Sequence, residues 1–157
     1  MQHVHTCLWF DGDALEFAER ATSLIPNSKI LTVSRYPGNA GANAEKVLTV
    51  HFSLDGTEYM GLNGGPHYPH TPAASIVVAC ETQEEVDRLW DALCDGGQKV
   101  ECGWVTDRFG VSWQIVPRAF FPMITSDDRA AAQRAMDAMM TMQKLHLPTL
   151  EKAFRGE

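Results

Sequence analysis

The sequence predicts an α+β fold that is built from two copies of a βαβββ unit. The stretch from Thr82 to Pro117 reads as a capped helix, a glycine turn and short strands, and the stretch from Asp13 to Leu62 repeats that order of elements. Sliding one stretch over the other lays Phe17 on Val86. Two copies of so long a unit indicate a duplicated supersecondary structure, because a solenoid needs at least about three shorter repeats.

The helix of the second copy has a clear beginning and end. Thr82 is a helix N-cap whose hydroxyl accepts a first-turn N–H, and Glu85 is placed to reach back in a capping box. Gly96 and Gly97 end the helix, because glycine adopts the left-handed conformation without steric cost. Apolar residues at helical spacing form one face: Val86, Leu89, Trp90 and Leu93.

The first copy shows the same alternation of strands and a helix. Residues 3–10 and 29–36 are predicted strands, and the helix between them begins at Asp13 as its N-cap. Asp55 and Gly56 predict a two-residue hairpin between strands over 47–54 and 57–62. We therefore place the first module at residues 1–66 and the second at 67–122.

Residues 123–157 form a predicted C-terminal helical extension. Ser126 is its expected N-cap, and Pro148 is expected to kink or divide it. Its methionine-rich side, which includes Met136, Met139 and Met140, is typical of adaptable core packing. Such a segment is not stable alone, so we expect it to pack on its own domain or on a partner subunit.

Composition narrows the class of protein. The net charge is −7 and there is no cluster of Lys and Arg, which argues against nucleic-acid and anionic-membrane partners. No apolar run is long enough for a signal peptide or a membrane span. The four cysteines have no CxxC spacing and are expected to be reduced. We expect a cytoplasmic protein.

Several blocks in order carry a family resemblance: CLWFDGDALEFA, SLIPNSKI, LNGGP, CETQEEVDRLW and CGWVTDRFGVSWQIVP. Through them nearly the whole chain resembles the PhnB-like group, labelled 3-demethylubiquinone 3-methyltransferase-like, of the glyoxalase (vicinal oxygen chelate) superfamily. The resemblance implies that the two modules form a curved eight-stranded cup, that the protein is a homodimer, and that a small organic molecule binds in the cup. It also implies a divalent metal, as Lewis acid, held by equivalent strands of the two modules.

At the positions that the resemblance implies for metal ligands, this sequence has mostly neutral groups. They fall on or beside His5, on Ser75, on Gln114, and near Tyr59 or Gly61. Imidazole and anionic oxygens are the preferred ligands of divalent ions, so we expect a degenerate metal site in which His5 is a weak candidate ligand. We keep a divalent metal as an alternative cofactor, and we assign no catalytic residue.

The same positions predict a polar small-molecule site. Ser75, Ser112 and Gln114 share one face of their strands if Trp113 faces the core. His5, Cys7 and Trp9 share a face of the first strand. The predicted ligand-binding residues are His5, Trp9, Tyr59, Asn63, Ser75 and Gln114.

Two rival sites deserve comparison with this one. His51, His67 and His70 form an alternative metal cluster, although loop histidines are usually solvated. Cys102 is a candidate nucleophile only if a general base lies beside it, and His51 is the candidate base. For both, the simpler interpretation is structural.

Three functions follow as hypotheses. The leading one is a small-molecule-binding protein of the PhnB-like group whose activity is unspecified. The alternatives are a metal-dependent lyase or dioxygenase of the glyoxalase superfamily and an antibiotic-sequestering protein. Methyltransferase activity is not expected, because the first strand ends in FDGDA without the glycine-rich turn that holds S-adenosylmethionine.

Overall fold

The computed structural model describes residues 3–157. Residues 1 and 2, with which the predicted first module begins, lie outside the described residues. The chain forms two compact units, one ending at His70 and the other running from Thr71 to Glu157. Each contains a four-stranded mixed sheet and begins with the order βαβββ, as the sequence predicts.

The first unit has strand order β1-β4-β3-β2, with β1 parallel to β4 and the other pairs antiparallel. Its elements are β1 (Thr6–Phe10), α1 (Ala14–Leu24), β2 (Lys29–Arg35), a short 3₁₀ helix (Gly41–Asn43), β3 (Val47–Leu54) and β4 (Thr57–Asn63). Asp55 and Gly56 join β3 to β4 with positive φ angles of 45° and 80°. These angles are those of the two-residue hairpin turn that the Asp-Gly pair predicts.

Helix α1 covers one face of this sheet. Phe17, Ala18 and Ala21 of the helix are buried, as are Val50 and Phe52 of β3. Alternate residues of a strand point to opposite faces, so the helix leaves the other face of the sheet free of α1.

The start of α1 differs from the prediction in one detail. Asp13 occupies the N-cap position, but its side chain makes no capping hydrogen bond. The free N–H of Ala14 instead donates to the side-chain oxygen of Asn63 at 3.0 Å. The cap therefore comes from the end of β4, a residue far away in sequence.

The second unit repeats the topology with strand order β5-β8-β7-β6. Its elements are β5 (Ser75–Cys80), α2 (Gln83–Cys94), β6 (Gln98–Lys99), β7 (Trp104–Thr106) and β8 (Ser112–Pro117). Thr82 caps α2 by accepting the N–H of Glu85 at 3.1 Å. The Glu85 carboxylate accepts from the N–H of Glu81 at 2.8 Å rather than from that of Thr82, so the predicted capping box is shifted by one residue.

The C-terminal extension divides just before the predicted proline. Helix α3 (Phe120–Ile124), which was not predicted, is followed by α4 (Arg129–Met140) and α5 (Leu147–Arg155). The N-cap of α4 is Asp128 rather than Ser126, and Pro148 lies in the first turn of α5, where its missing N–H costs nothing.

These helices pack on their own unit, which was one of the two predicted arrangements. A buried apolar cluster joins them to the end of β8: Val116, Phe120, Met123, Ala135, Leu145 and Leu150. The segment before α5 is also held by polar contacts, because the Gln83 side chain donates to the Leu145 carbonyl at 3.0 Å and accepts the Leu147 N–H at 2.7 Å.

Candidate functional site

In the second unit, Ser75 and Gln114 meet on one face of the sheet. Strands β5 and β8 are parallel, and their register pairs Ser75 with Ser112 and Val77 with Gln114. The Gln114 side-chain amide donates a hydrogen bond of 2.9 Å to the Ser75 hydroxyl. Both side chains are half-buried, and Val77, which pairs with Gln114, is half-exposed. We call this surface the Gln114 face.

Residues with the opposite parity form the core. Trp113 and Ile115 are buried, as predicted for the packed side of β8, and helix α2 packs on this strand. The alternation of apolar and polar residues along β8 therefore predicts on which face of the sheet each side chain lies.

The structure adds Trp104 to the Gln114 face. Strand β7 is antiparallel to β8, and its register places Trp104 directly beside Gln114. Paired residues share a face, so the half-buried indole flanks the amide on the side opposite Ser75. Only the β7–β8 register reveals this neighbour, and no local signal in the sequence distinguished Trp104 from a core tryptophan.

In the first unit, the face away from α1 carries Cys7 and Trp9. The register places Cys7 beside Met60, and Met60 beside His51 of β3. The His5 ring, just before β1, lies 5.6 Å from the His51 ring between their centroids. We call this surface the Trp9 face. Its members are Cys7, Trp9, Thr49, His51, Met60 and Leu62.

The two units can be matched by the ends of their parallel pairs. Phe10 pairs with Asn63 in the first unit and Cys80 pairs with Pro117 in the second. Counting back from these pairs matches His5 with Ser75 and Met60 with Gln114. The residue that this match places opposite Gln114 is Met60, which lies between Tyr59 and Gly61.

Tyr59 lies on the α1 side of the sheet rather than on the Trp9 face. Its ring stacks on that of Phe52 at 5.5 Å, and burial raises the pKa of its hydroxyl. Gly61 belongs to the same side, where an added Cβ would lie 3.1 Å from the Ala14 side chain. Alternation along β4 explains the placement, because Tyr59 and Gly61 have the parity that packs against the helix.

Asn63 is also on the α1 side, and its side chain holds the unit together. It is 8% exposed, and its amide donates to the Val47 carbonyl at 3.1 Å while its oxygen caps α1. The Tyr36 hydroxyl donates to its main-chain carbonyl at 3.0 Å. Its side-chain hydrogen bonds are to the protein itself, which assigns it a structural task.

Trp9 is fixed on the turn that follows β4. Its indole N–H donates to the Gly65 carbonyl at 2.8 Å, and the edge of Tyr68 meets its ring at 4.9 Å. A Cβ at position 64 would lie 2.2 Å from the indole, so only glycine fits there. The result is a half-buried aromatic surface with little freedom to move.

The other candidates are dispersed. The His70 ring lies 5.0 Å from that of Phe10, and His67 lies 6.5 Å from Tyr68. The Cys102 thiol contacts the Met140 thioether at 3.8 Å. Within residues 3–157, no three His, Cys, Asp or Glu side chains come close enough together to hold a metal ion.

The donor groups at the matched positions do not fit a resident divalent ion. The first unit offers an imidazole and a thioether, from His5 and Met60, and the second offers a hydroxyl and a neutral amide. Mg²⁺ and Ca²⁺ sites in proteins are built on carboxylates, and Zn²⁺ prefers imidazole, thiolate and carboxylate, but the matched positions supply one imidazole and no anionic group. The Ser75–Gln114 pair instead has the chemistry of a hydrogen-bonding site.

Comparison with known proteins identifies the family. The family model described as 3-demethylubiquinone-9 3-methyltransferase matches residues 2–116. The chain belongs to this family. The PhnB protein of Bacillus cereus is 34% identical, with a TM-score of 0.68 over 74% of this chain and 99% of that one. The PhnB-like resemblance and its fold class are therefore confirmed.

Two further solved structures are similar at lower identity. A protein of Pseudomonas aeruginosa is 20% identical, with a TM-score of 0.60 over 72% of this chain and 95% of that one. The fosfomycin resistance protein FosX of Listeria monocytogenes is 14% identical, with a TM-score of 0.45 over 71% and 87%. A search of curated proteins gave no match.

The fold does not support the methyltransferase activity that the family description names. Proteins that hold S-adenosylmethionine on a doubly wound sheet use parallel strands and a glycine-rich turn after the first one. Here both sheets are four-stranded and mixed. Across residues 3–157, no helix is long and apolar enough to cross a bilayer.

Proposed function

We propose that this protein binds a small organic molecule on the Gln114 face, by hydrogen bonds rather than through a resident metal ion. The hydrogen bond between Gln114 and Ser75 is the observation that carries the proposal. The family resemblance implies that these are strand positions from which the superfamily takes metal ligands, and here the hydrogen bond joins two neutral groups.

The chemistry of the pair suits a ligand with neighbouring oxygens. The Gln114 amide offers donors and an acceptor, and the Ser75 hydroxyl offers one donor and two acceptor positions. Trp104 beside Gln114 adds an apolar wall. A few convergent polar groups against an aromatic surface are typical of small-molecule sites.

A cytoplasmic homodimer is part of the same proposal. Family resemblance supports the dimer, and the −7 charge without a basic cluster argues for a small-molecule partner rather than nucleic acid. Light scattering after gel filtration measures the oligomeric state, and a monomer at micromolar concentration would contradict this part.

A thermal-shift screen against dicarbonyls, catechols, quinones and glycopeptides tests ligand binding. A ligand at a hundred times its Kd stabilises the folded state by about 2.7 kcal/mol. We expect a hit to lose its shift in Gln114→Leu and to keep it in the matched control Gln98→Leu, whose side chain is exposed on β6. Equal shifts in both variants would overturn the site.

Turnover of the hit separates the alternatives. A compound that stabilises the protein and is recovered unchanged indicates sequestration, whereas a product indicates an enzyme. Metal analysis of protein purified without a histidine tag addresses the metal-dependent alternative, which stoichiometric metal would favour.

Restoring a carboxylate tests the alignment of the site. Gln114→Glu supplies an anionic oxygen at the matched position, so we expect tighter binding of Mn²⁺ or Zn²⁺ than in the wild type. Gln98→Glu adds the same charge on β6 and is expected to leave metal affinity unchanged. No gain in Gln114→Glu would contradict the matched positions.

A further inference from the structure

A cavity of about 470 Å³ opens in the first unit at the carboxyl ends of β1 and β4. Asp11 and Gly12 after β1, Gly64 and Gly65 after β4, and the end of the loop from β2 to β3 line it. Its volume lies within the ~300–1,000 Å³ range of ligand pockets. The cavity belongs to neither the Gln114 face nor the Trp9 face.

Two residues of opposite charge line this cavity. Asp11 and Lys46 are both lining residues. Neither side chain makes an ion pair or a hydrogen bond within residues 3–157, either with the other or with a third residue. Both residues are exposed, so the cavity has an uncompensated anionic group and an uncompensated cationic group in its lining.

The rest of the lining is polar and firmly placed. The Tyr36 hydroxyl donates to the Asn63 carbonyl, which leaves its oxygen able to accept a hydrogen bond. The Asn63 side chain is hydrogen-bonded to α1 and to β3. The Gly64 N–H donates to the Phe10 carbonyl at 3.0 Å, and the Trp9 ring packs against Gly64. This part of the lining is therefore held in place by contacts within the protein.

We propose that this cavity binds a small zwitterion, with Lys46 facing its carboxylate and Asp11 facing its ammonium group. A molecule with one charge would satisfy one side chain and leave the other repelled or unpaired. A zwitterion satisfies both, and the Tyr36 oxygen is a further acceptor for its ammonium group.

Probes of graded length test the proposal. Glycine, 4-aminobutyrate and 6-aminohexanoate carry the same two charges at increasing separation, and hexanoate and hexylamine carry one charge each. Titration followed by amide chemical shifts of Gly64 and Gly65 reports on the cavity itself. We expect one zwitterion to bind better than the other two and better than both single-charge probes.

Charge variants assign the two contacts. Lys46→Gln and Asp11→Asn are each expected to weaken the preferred zwitterion about three- to fivefold, as for an exposed ion pair. The matched controls Lys152→Gln and Asp127→Asn lie in the second unit and are expected to have no effect. Asp11→Lys combined with Lys46→Asp should restore part of the affinity that each single charge reversal lowers by more than the corresponding neutralisation does.

Three results would overturn the proposal. They are the absence of shifts at Gly64 and Gly65 with every zwitterion at millimolar concentration, equal binding of hexanoate or hexylamine, and unchanged affinity in both neutralised variants. The four charge-neutralised positions are exposed, so the melting temperature of each variant is expected to match that of the wild type.

Discussion

The buried carboxylate of Asp107 accepts a hydrogen bond of 2.8 Å from the indole N–H of Trp113. The same carboxylate accepts the main-chain N–H groups of Phe109 at 2.9 Å and Val111 at 3.0 Å. One side chain thus closes the turn from β7 to β8 and anchors the largest core residue of β8. The orientation of that strand, and so the position of Gln114, depends on it.

Replacing Asp107 by alanine is expected to destabilise the protein by about 3 kcal/mol. The loss leaves the buried Trp113 N–H and two turn N–H groups without their acceptor. Urea denaturation measures the change. Asp127→Ala, at an exposed position, serves as the control and should stay within about 0.5 kcal/mol of the wild type. A loss under about 1 kcal/mol for Asp107→Ala would mean that water replaces the carboxylate.

Gly64→Ala is expected to displace the Trp9 ring. The new Cβ would lie 2.2 Å from the indole, and such overpacking costs about 1–3 kcal/mol. In a Trp9→Ala background the same substitution should cost much less, because its obstacle has gone. Denaturation of the four proteins of this double-mutant cycle gives the coupling, and a cost that is equal in both backgrounds would contradict the contact.

Cysteine labelling should separate Cys80 from Cys7. Burial, followed by the Glu85 carboxylate, raises the pKa of Cys80 to about 12, and its side chain is 1% exposed. Burial also raises the pKa of Cys7, but this residue is exposed. We expect iodoacetamide near neutral pH to alkylate Cys7 well before Cys80, because thiolate and access are both required. Peptide mass spectrometry checks the order, and labelling in urea should abolish it.

Asp87 should make the stability depend on acid pH. Hydrogen bonds from Gln83 and then Lys144 lower the pKa of this carboxyl below its ordinary value of 3.8. A lowered folded-state pKa gives stability that is present above the unfolded value and is lost as pH falls through the folded one. The wild type should therefore be more stable than Asp87→Asn near neutral pH, and the difference should shrink below about pH 4.

The control for this prediction is Asp127→Asn, whose side chain has no partner within residues 3–157. Its difference from the wild type is expected to stay flat over the same range. If the difference in free energy of unfolding between the wild type and Asp87→Asn stays constant down to the acid transition, the charge of Asp87 does not contribute to stability, and the prediction is wrong.

Local patterns were sufficient for the order of strands and helices within the two βαβββ units. Capping at Thr82 and the Asp55-Gly56 hairpin are set by neighbouring residues, and each lies where the sequence predicts it, while Pro148 follows a break in the C-terminal helices and lies in the first turn of α5. Alternation along single strands also placed Gln114 and Ser75 on one face, away from Trp113. Family membership followed from blocks of consecutive residues in the right order.

Pairing between strands was decided only by the tertiary structure. Period-two alternation shows which residues of one strand share a face, but the register between strands depends on contacts far apart in sequence. For that reason the sequence did not show that Met60, between Tyr59 and Gly61, is the residue that matches Gln114. It also did not show that Trp104 lies beside Gln114. Asn63 caps a helix that begins 49 residues earlier, which no local pattern could indicate.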